Sequence, residues 1–447
     1  MFSGFPSFAG AWRISEEPWF DVPVISAMKL RLGWGQVGNS AVSSYRTLAI
    51  YNTDRIGSSN PGNDAGYDLG VHLTNIPNPL LKWETTEQWN AGLDINLWQG
   101  RFSFTADAYY KYTYDLLNQK YISYTSGVNR IWVNQGAISN KGLEFSLEAV
   151  PVKTNGWEVR LNGNISFNRN RIEDIGTDSS GDYVYLTPDP SGKTACRYYY
   201  GATIGSGNYG VEPVNIFIEG YPVGLFYGYK TAGIIQEGES APNFEHGNES
   251  TYNNGPGGIR LVDPDGDGVV YSTERTILGD PNPDFSFGFG GSVSYKDLTL
   301  SASFYGVYGN EIVNQSNMLF YNTNDGSNNV LRKAYIDSWT PDNTDATMPR
   351  LRPGSAMVNY FTDYYIEDGS FLRLGNVSLS YLIKFKKGCA LKNLSVGASV
   401  ANAYVWTKYS GYDPEVNSYG YDLTRMGVDS GSFPRARTYS FDLKFTF

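Results

Sequence analysis

The last eleven residues of the chain, 437–447, predict a strand, and from Tyr439 to Phe447 apolar and polar side chains alternate strictly. Successive side chains of an extended strand point to opposite faces, so this stretch would have one apolar and one polar face. A strand that ends on an aromatic residue is typical of the rim of a membrane β-barrel, where aromatic girdles flank the apolar band. The edge strand of a soluble β-protein has the same alternation, so the choice depends on the rest of the chain. The apolar face would carry Tyr439, Phe441, Leu443, Phe445 and Phe447.

The same period of two recurs along the chain and predicts about thirteen strands. Short turns alternate with long loops rich in Gly, Asn and Asp, as in a barrel with one rim in the periplasm and the other outside the cell. Glu144 and Glu148 alternate with apolar residues in one of these strands, and such carboxylates need water on their side. The predicted strands are 7–15, 28–36, 83–98, 102–112, 142–152, 157–167, 214–219, 225–235, 285–295, 298–304, 371–385, 394–406 and 437–447.

These features predict an all-β chain that forms an antiparallel transmembrane β-barrel with long extracellular loops and short periplasmic turns. Single-chain bacterial barrels have even strand numbers, whereas the count here is odd. We therefore expect residues 1–447 to be the C-terminal portion of a larger barrel, without its early strands. The residues expected at the membrane girdle are Trp98, Trp157, Phe445 and Phe447.

Composition excludes several other classes of protein. No stretch approaches the ~20 apolar residues that a membrane helix needs, and the mean hydropathy is −0.36. The chain has 35 basic and 45 acidic residues, giving a net charge of −10, and no basic cluster that could follow a nucleic-acid backbone. Outer-membrane lipid is therefore an expected partner and nucleic acid is not.

The few cysteines and histidines predict little catalytic or redox chemistry. Cys196 falls in a long loop and Cys389 in a short turn, so the topology places them on opposite sides of the membrane and they should not pair. His72 and His246 both lie in predicted loops without a Ser or Cys and Asp arrangement, so a catalytic triad has almost no support. We expect the protein not to be an enzyme.

Several motifs resemble the barrel of SusC/RagA-type TonB-dependent transporters, in the same order and over nearly the whole chain. FPSFAGAWRISEE at 5–17 and LRLGWGQVGN at 30–39 look like two consecutive signature strands of that family, and GYPVGLFYGY at 220–229 is also similar. Further similar segments are 81–94, 110–117, 134–144, 263–268, 279–285 and 365–376.

This resemblance implies a 22-stranded barrel in the outer membrane of a Gram-negative bacterium. It also implies an N-terminal plug, energy coupling through the TonB complex, and a SusD-like surface lipoprotein that closes over the mouth. Pairs of this kind import nutrient oligomers such as oligosaccharides or peptides. The plug, the TonB-contacting segment and the early strands have no counterpart in residues 1–447, so we expect the remainder of the transporter to supply them.

An acidic loop matches the spacing of a calcium-binding loop. Asp263, Asp265 and Asp267 would supply carboxylates, Val269 its backbone carbonyl and Glu274 a bidentate carboxylate. Tyr271 would make a water-mediated contact. The simpler possibility is a Gly-Asp turn whose charges are only solvated.

Aromatic residues in the predicted loops could stack on sugar rings through their amphipathic faces. Such residues more often pack a loop on itself. The candidates are Tyr198, Tyr199, Tyr200, Tyr209 and Tyr321. For the whole chain, the functions that compete with active import are those of a passive porin, a siderophore-type receptor and a soluble glycan-binding β-protein.

Overall fold

The computed structural model describes residues 3–40, 45–56, 68–122, 127–128, 130–176, 183–186, 194–204, 213–245, 255–321, 329–351, 360–386, 390–415, 418–420 and 422–447. Tyr209, His246 and Cys389 lie outside these residues. The earlier strands are β1 (Ser7–Arg13), β2 (Ile25–Asn39), β3 (Ile50–Ile56), β4 (Asp68–Asn75), β5 (Glu84–Leu97), β6 (Phe102–Tyr114), β7 (Leu117–Tyr121), β8 (Arg130–Asn134), β9 (Ala137–Thr154), β10 (Trp157–Asp174), β11 (Tyr183–Leu186), β12 (Thr194–Tyr200), β13 (Asn215–Ile218) and β14 (Leu225–Gly228).

The remaining elements follow the same order. The later strands are β15 (Thr231–Ile234), β16 (Asn243–Phe244), β17 (Ile259–Leu261), β18 (Val269–Val270), β19 (Thr276–Gly279), β20 (Phe285–Tyr295), β21 (Leu298–Tyr308), β22 (Glu311–Asn314), β23 (Ile366–Asp368), β24 (Phe371–Lys384), β25 (Asn393–Thr407), β26 (Val428–Asp429) and β27 (Thr438–Thr446). Two short helices, α1 (Gln315–Phe320) and α2 (Arg332–Ile336), lie between β22 and β23. Single 3-10 turns are found at Ile14–Glu16, Ser272–Glu274, Asp363–Tyr365 and Leu423–Arg425.

One open sheet of eleven strands forms the wall of the molecule. Its order is β1-β2-β5-β6-β9-β10-β20-β21-β24-β25-β27, and each neighbouring pair is antiparallel. Short connections at one rim, which we call the short-turn rim, alternate with long ones at the long-loop rim. The turn between β9 and β10 consists of Asn155 and Gly156, both with positive φ, as a two-residue hairpin of this twist requires.

The two faces of this wall differ in chemistry. On the outer face, large apolar side chains are exposed in the isolated chain, with Phe441 86% and Leu443 63% accessible. On the inner face, small polar side chains pair across strands, as in the 2.7 Å contact between the hydroxyls of Ser301 and Ser378. An apolar outer face and a polar inner face are what a wall between lipid and water requires. The alternation predicted from the sequence is confirmed.

Two of the thirteen predicted strands lie outside this wall, which corrects the count. The predicted strands at 214–219 and 225–235 correspond to β13 and β14 with β15, which have only four residues each. Four residues are too few to cross a bilayer, which takes about 9–11 in a tilted strand. Ile216, Ile218 and Phe226 are 0% exposed, so β13 and β14 are buried and do not face lipid on one side and water on the other.

Three of the long connections at the long-loop rim, 175–284, 309–370 and 408–437, pack together through their described residues, and we call these described residues the loop body. It contains a five-stranded sheet, β11-β12-β13-β14-β19, and a three-stranded sheet, β23-β22-β26. One hydrophobic core joins all three connections, with Phe226 from the first, Val313 from the second and Val428 from the third. The described parts of these connections are therefore a packed unit. No helix in the described part of the chain is long and apolar enough to span a bilayer.

Candidate functional site

A charged cluster crosses three neighbouring strands on the inner face of the wall. Arg31 of β2 places its Nε 2.9 Å from Asp94 of β5 and its Nη2 2.9 Å from Asp107 of β6. Lys29 lies farther from Asp94, at 3.9 Å. Gly92 makes room for the guanidinium, because a Cβ at this position would lie 2.6 Å from Arg31 Cζ. The arrangement is a fixed charged site on the water-facing side.

A second cluster binds the third part of the loop body to the inner face. Arg373 of β24 donates from Nη2 to Asp413 at 2.5 Å and places its Nε 2.9 Å from Glu415. Tyr305 of β21 donates to Glu415 at 2.9 Å, and Arg435 lies 3.1 Å from the same carboxylate. Residues 413–415 are thereby held against the inside of the wall.

This cluster is absent from the predicted site residues because the alternation predicts 371–385 as one unbroken strand. Opposite β21, Ser303 pairs with Asn376 but Phe304 pairs with Leu374, so Gly375 is an extra residue in β24. Such a bulge reverses the faces of the residues beyond it, and Arg373 therefore points inward. The sequence feature that could have indicated this bulge is Gly375, a glycine inside an alternating strand.

The acidic loop folds around its first aspartate. Asp263 accepts the backbone N–H groups of Gly266 and Gly268 at 2.7 and 2.8 Å. These bonds lower the pKa of Asp263, the one from Gly268 contributing most. Oxygen atoms of Asp263, Asp265 and Asp267 all lie within 4.8 Å of one another. Three acceptor groups this close have the spacing of cation ligands.

Glu274 completes one side of the loop. Its Oε2 accepts the Tyr271 N–H at 2.7 Å, whereas its Oε1 is buried and has no hydrogen-bond donor among the described residues. Burial raises the pKa of Glu274, and the three aspartates raise it further. Glu274 lies outside the group of three aspartates whose oxygens come within 4.8 Å of one another, although their charges act on it. A buried carboxylate oxygen without a donor near this group is compatible with a bound cation.

The backbone carbonyl of Val269 is also available. The carbonyls of Gly268 and Val270 accept from Asn243 and Glu245 in the neighbouring strand. Carbonyls alternate in direction along a strand, so that of Val269 points away from this partner. The donor set predicted for calcium therefore lies in one loop, and the described elements next to it are the short strands β17, β18 and β19 and a 3-10 turn.

The tyrosines predicted to contact substrate differ in their exposure to solvent. Tyr198, Tyr199 and Tyr200 lie on β12, and only Tyr200 is exposed, at 42%. One face of Tyr200 lies 5.3 Å from the guanidinium carbon of the buried Arg275. Tyr321 is 7% exposed in the core of the loop body, so its ring cannot stack on a sugar and that part of the prediction is corrected.

The four residues predicted for the girdle all lie at the short-turn rim. Trp98 is in the turn after β5, and Trp157 begins β10. Trp157 packs on Tyr295 with a ring-centroid distance of 4.5 Å, and Trp98 packs on Phe102 at 5.0 Å. Their exposures are 52% for Trp98, 46% for Trp157, 52% for Phe445 and 75% for Phe447.

An antiparallel wall that is apolar outside and polar inside, with packed loops at one rim and tight turns at the other, defines a β-barrel protein of the outer membrane. Residues 3–254 match the family model described as TonB dependent receptor-like, beta-barrel. The chain belongs to this family and is an outer-membrane protein of a Gram-negative bacterium.

Curated relatives match along almost the entire chain. It is 31% identical over 454 residues to TonB-dependent receptor P3 of Formosa agariphila, covering 99% of this chain and 42% of the relative. It is 30% identical over 453 residues to TonB-dependent receptor SusC of Bacteroides thetaiotaomicron, covering 99% of this chain and 40% of the relative. The chain therefore spans about two fifths of the length of these relatives.

Solved structures share the fold. The RagAB peptide transporter superposes with a TM-score of 0.74 at 23% sequence identity, over 99% of this chain and 43% of that chain. The RagAB peptide importer in its open-open state superposes equally well, with a TM-score of 0.74. This agreement extends to the loop body as well as the wall, because nearly the whole chain is covered.

Proposed function

We propose that this chain forms the later part of the wall of an active importer for nutrient oligomers, either oligosaccharides or peptides. The observation that carries the proposal is the eleven-stranded wall, apolar outside and polar inside, in a chain of the TonB-dependent receptor family. Its role is transport and not catalysis. The remainder of the transporter would supply the plug and the early strands, and the TonB complex would supply energy.

A SusD-like surface lipoprotein is the partner we propose at the long-loop rim. The similarity to SusC supports it, and the loop body offers a packed surface to which a lid could bind. Tyr198, Tyr199 and Tyr200 lie in this body and are the aromatic residues we propose for cargo contact. Co-purification from native membranes, with identification of any bound oligomer, tests both partner and cargo.

Growth of a strain that lacks the gene tests the import proposal. We expect the strain to lose growth on one class of oligomer while it still grows on the corresponding monomers. Deletion of the TonB gene should produce the same loss, since active import needs that energy. Uptake that persists without TonB, with steady ion conductance in planar bilayers, would identify a passive porin instead.

A siderophore-type receptor and a soluble glycan-binding protein would each give a different result. A siderophore-type receptor would matter for growth only under iron limitation. A soluble glycan-binding protein would stay in solution without detergent, whereas we expect the chain to need detergent because of its exposed apolar outer face.

We also propose that the acidic loop binds Ca²⁺ through Asp263, Asp265, Asp267, the Val269 carbonyl and Glu274. Oxygen ligands at this spacing suit Ca²⁺, and extracellular sites of this kind bind with Kd values of about 10⁻⁴–10⁻³ M. The unsatisfied Glu274 Oε1 supports the proposal, because a cation would compensate its burial.

Calorimetry on the chelator-treated protein in detergent tests calcium binding. We expect one ion per chain, and we expect Asp265→Asn and Glu274→Gln to weaken binding. Asp345→Asn is the matched control, since Asp345 is an exposed aspartate elsewhere in the loop body. Binding that is absent, or that is unchanged in the loop variants, would leave a solvated acidic turn.

A further inference from the structure

Six outward-facing residues form one continuous row across the first six strands of the wall. Each is directly opposite the next in the strand register. The first four are aromatic and the last two are cations, a change that occurs between neighbouring strands. In spatial order the row is Phe8, Trp34, Trp89, Tyr110, Lys141 and Arg169.

The two cations of the row are direct cross-strand neighbours. Like charges in this position are destabilising unless an anion offsets them. Arg171, on the same face of β10, adds a third cation opposite Ser139. All three are exposed, with side-chain accessibilities of 54% for Arg169 and 60% for Arg171.

Carboxylates near these cations compensate them only in part. Asp284 lies 2.8 Å from Arg169, which also donates to the backbone carbonyls of Asp284 and Pro283 at 2.9 and 3.3 Å. Glu173 lies 3.8 Å from Arg171. Glu173 is also used by the Ser139 hydroxyl at 2.6 Å. No carboxylate of the described residues lies within 4.0 Å of the Lys141 amine. The carboxylate of Glu87 also faces outward, but it accepts the indole N–H groups of Trp34 and Trp89 at 2.8 and 3.1 Å.

Depth along the strands places the cations just above the apolar band. Trp89 is nine positions from Trp98 at the short-turn rim, which corresponds to about 23 Å along the membrane normal at ~3.3 Å per residue and a tilt of ~40°. Arg169 is twelve positions from Trp157, or about 30 Å on the same basis. The apolar band of such barrels is about 25 Å tall, so the aromatic residues lie at its border and the cations at the level of lipid headgroups.

We propose that Lys141, Arg169 and Arg171 bind the phosphate groups of a phosphorylated glycolipid in the outer leaflet. Phosphate oxygens would neutralise Lys141, which lacks a carboxylate partner among the described residues, and the planar guanidinium of Arg171 suits a phosphate. Arg169, already paired with Asp284, would add its positive charge beside them. The rings of Tyr110 and Trp89 would contact the sugar and the start of the acyl chains. This lipid site is separate from the inner face and independent of the cargo.

Binding of purified lipid A to the transporter extracted from outer membranes in detergent tests the site. Each Lys or Arg near a lipid surface contributes about 1 kcal/mol, which equals about 5-fold in affinity. We therefore expect Lys141→Gln with Arg171→Gln to weaken lipid A binding by roughly 25-fold. Lys296→Gln is the matched control, because Lys296 also lies beside a tyrosine, at 5.1 Å from Tyr295, but at the short-turn rim.

The unmodified protein provides a second measurement that does not depend on any variant. We expect dephosphorylated lipid A to bind at least 10-fold more weakly than the phosphorylated form. Equal affinity for the two lipids, or unchanged affinity in the double variant, would overturn the proposal. Lys141, Arg169 and Arg171 would then be solvated cations that bind no lipid. Displacement of lipid A by millimolar inorganic phosphate would also overturn it, since the site would then recognise a free anion.

Discussion

Arg373 and Asp413 form an ion pair that is almost completely withdrawn from solvent, with side-chain exposures of 4% and 6%. Arg373 belongs to the wall and Asp413 to the third connection of the loop body, so the pair joins two parts of the molecule. Burial of two charges is tolerated only when each is well paired, and Glu415 and Arg435 complete the arrangement here. The pair holds an extracellular connection on the inner side of the wall.

Replacing Arg373 by Met should destabilise this contact strongly. The change leaves Asp413 buried without its cation, and breaking a buried pair costs about 3–5 kcal/mol. We expect a lower unfolding temperature and faster proteolysis within residues 408–437. Arg425→Ala is the control, because its pair with Asp422 is about one-third exposed and should contribute at most ~1 kcal/mol. Equal effects of the two variants would contradict the role of burial.

A charged side chain on the outer face, near the middle of the bilayer, should destabilise the protein. Phe441 lies six positions from the end of the chain, or about 15 Å above the short-turn rim. Phe441→Arg should therefore destabilise the folded protein in lipid vesicles by about 2–4 kcal/mol. Ser440→Arg, on the inner face of the same strand, should change the stability by less than about 1 kcal/mol. If denaturant titration gave the opposite order, the assignment of the two faces would be wrong.

Gly92 should tolerate no larger side chain. A Cβ there would overlap the Arg31 guanidinium, so Gly92→Ala should displace Arg31 and cost roughly 1–3 kcal/mol. Gly33→Ala is the matched control on the inner face of the adjacent strand, where the nearest atom to a new Cβ is 3.9 Å away. Circular dichroism during heating would measure the difference. A Gly33 variant as unstable as the Gly92 variant would indicate a general backbone effect.

Glu311 should make stability depend on pH. Burial raises the pKa of Glu311, and Asp280 and Asp368 raise it further, although the Asp280 N–H bonds to its carboxylate. The folded state therefore disfavours the charged form, and its penalty is present above the raised pKa and lost as pH falls towards 4.5, the ordinary value. Glu311→Gln should stabilise the protein at pH 7 and have less effect near pH 4. Unfolding midpoints at both pH values would show a constant difference if the pKa were ordinary.

The wall could be predicted because lipid and water impose a period of two on every strand that separates them. For example, the alternation predicts a strand at 298–304, and the structure has a strand there that continues to Tyr308. The sequence could not predict that β13 and β14 belong to the loop body and not to the wall. An apolar segment such as Asn215–Ile218 suits a buried strand in a loop as well as a strand that crosses the membrane. Their four-residue length becomes decisive only when the true bounds are known.

The acidic loop could be identified because the residues proposed as cation ligands lie within twelve residues of one another, and calcium binding there stays a prediction. The surroundings of Tyr321 and Arg373 could not be predicted, because they come from distant parts of the chain. Tyr321 is buried by residues such as Ile204, far away in sequence. Arg373 depends on one bulge at Gly375 and on carboxylates forty residues later.

The shared core of the loop body has a consequence for biogenesis. Phe226, Val313 and Val428 come from three connections that are separated by wall strands. All three connections must be translocated before these side chains can meet, so the core can form only as a late, cooperative step. A mutation such as Val313→Asp would therefore act after membrane insertion. It would leave apolar segments exposed on the cell surface, where proteases can degrade them.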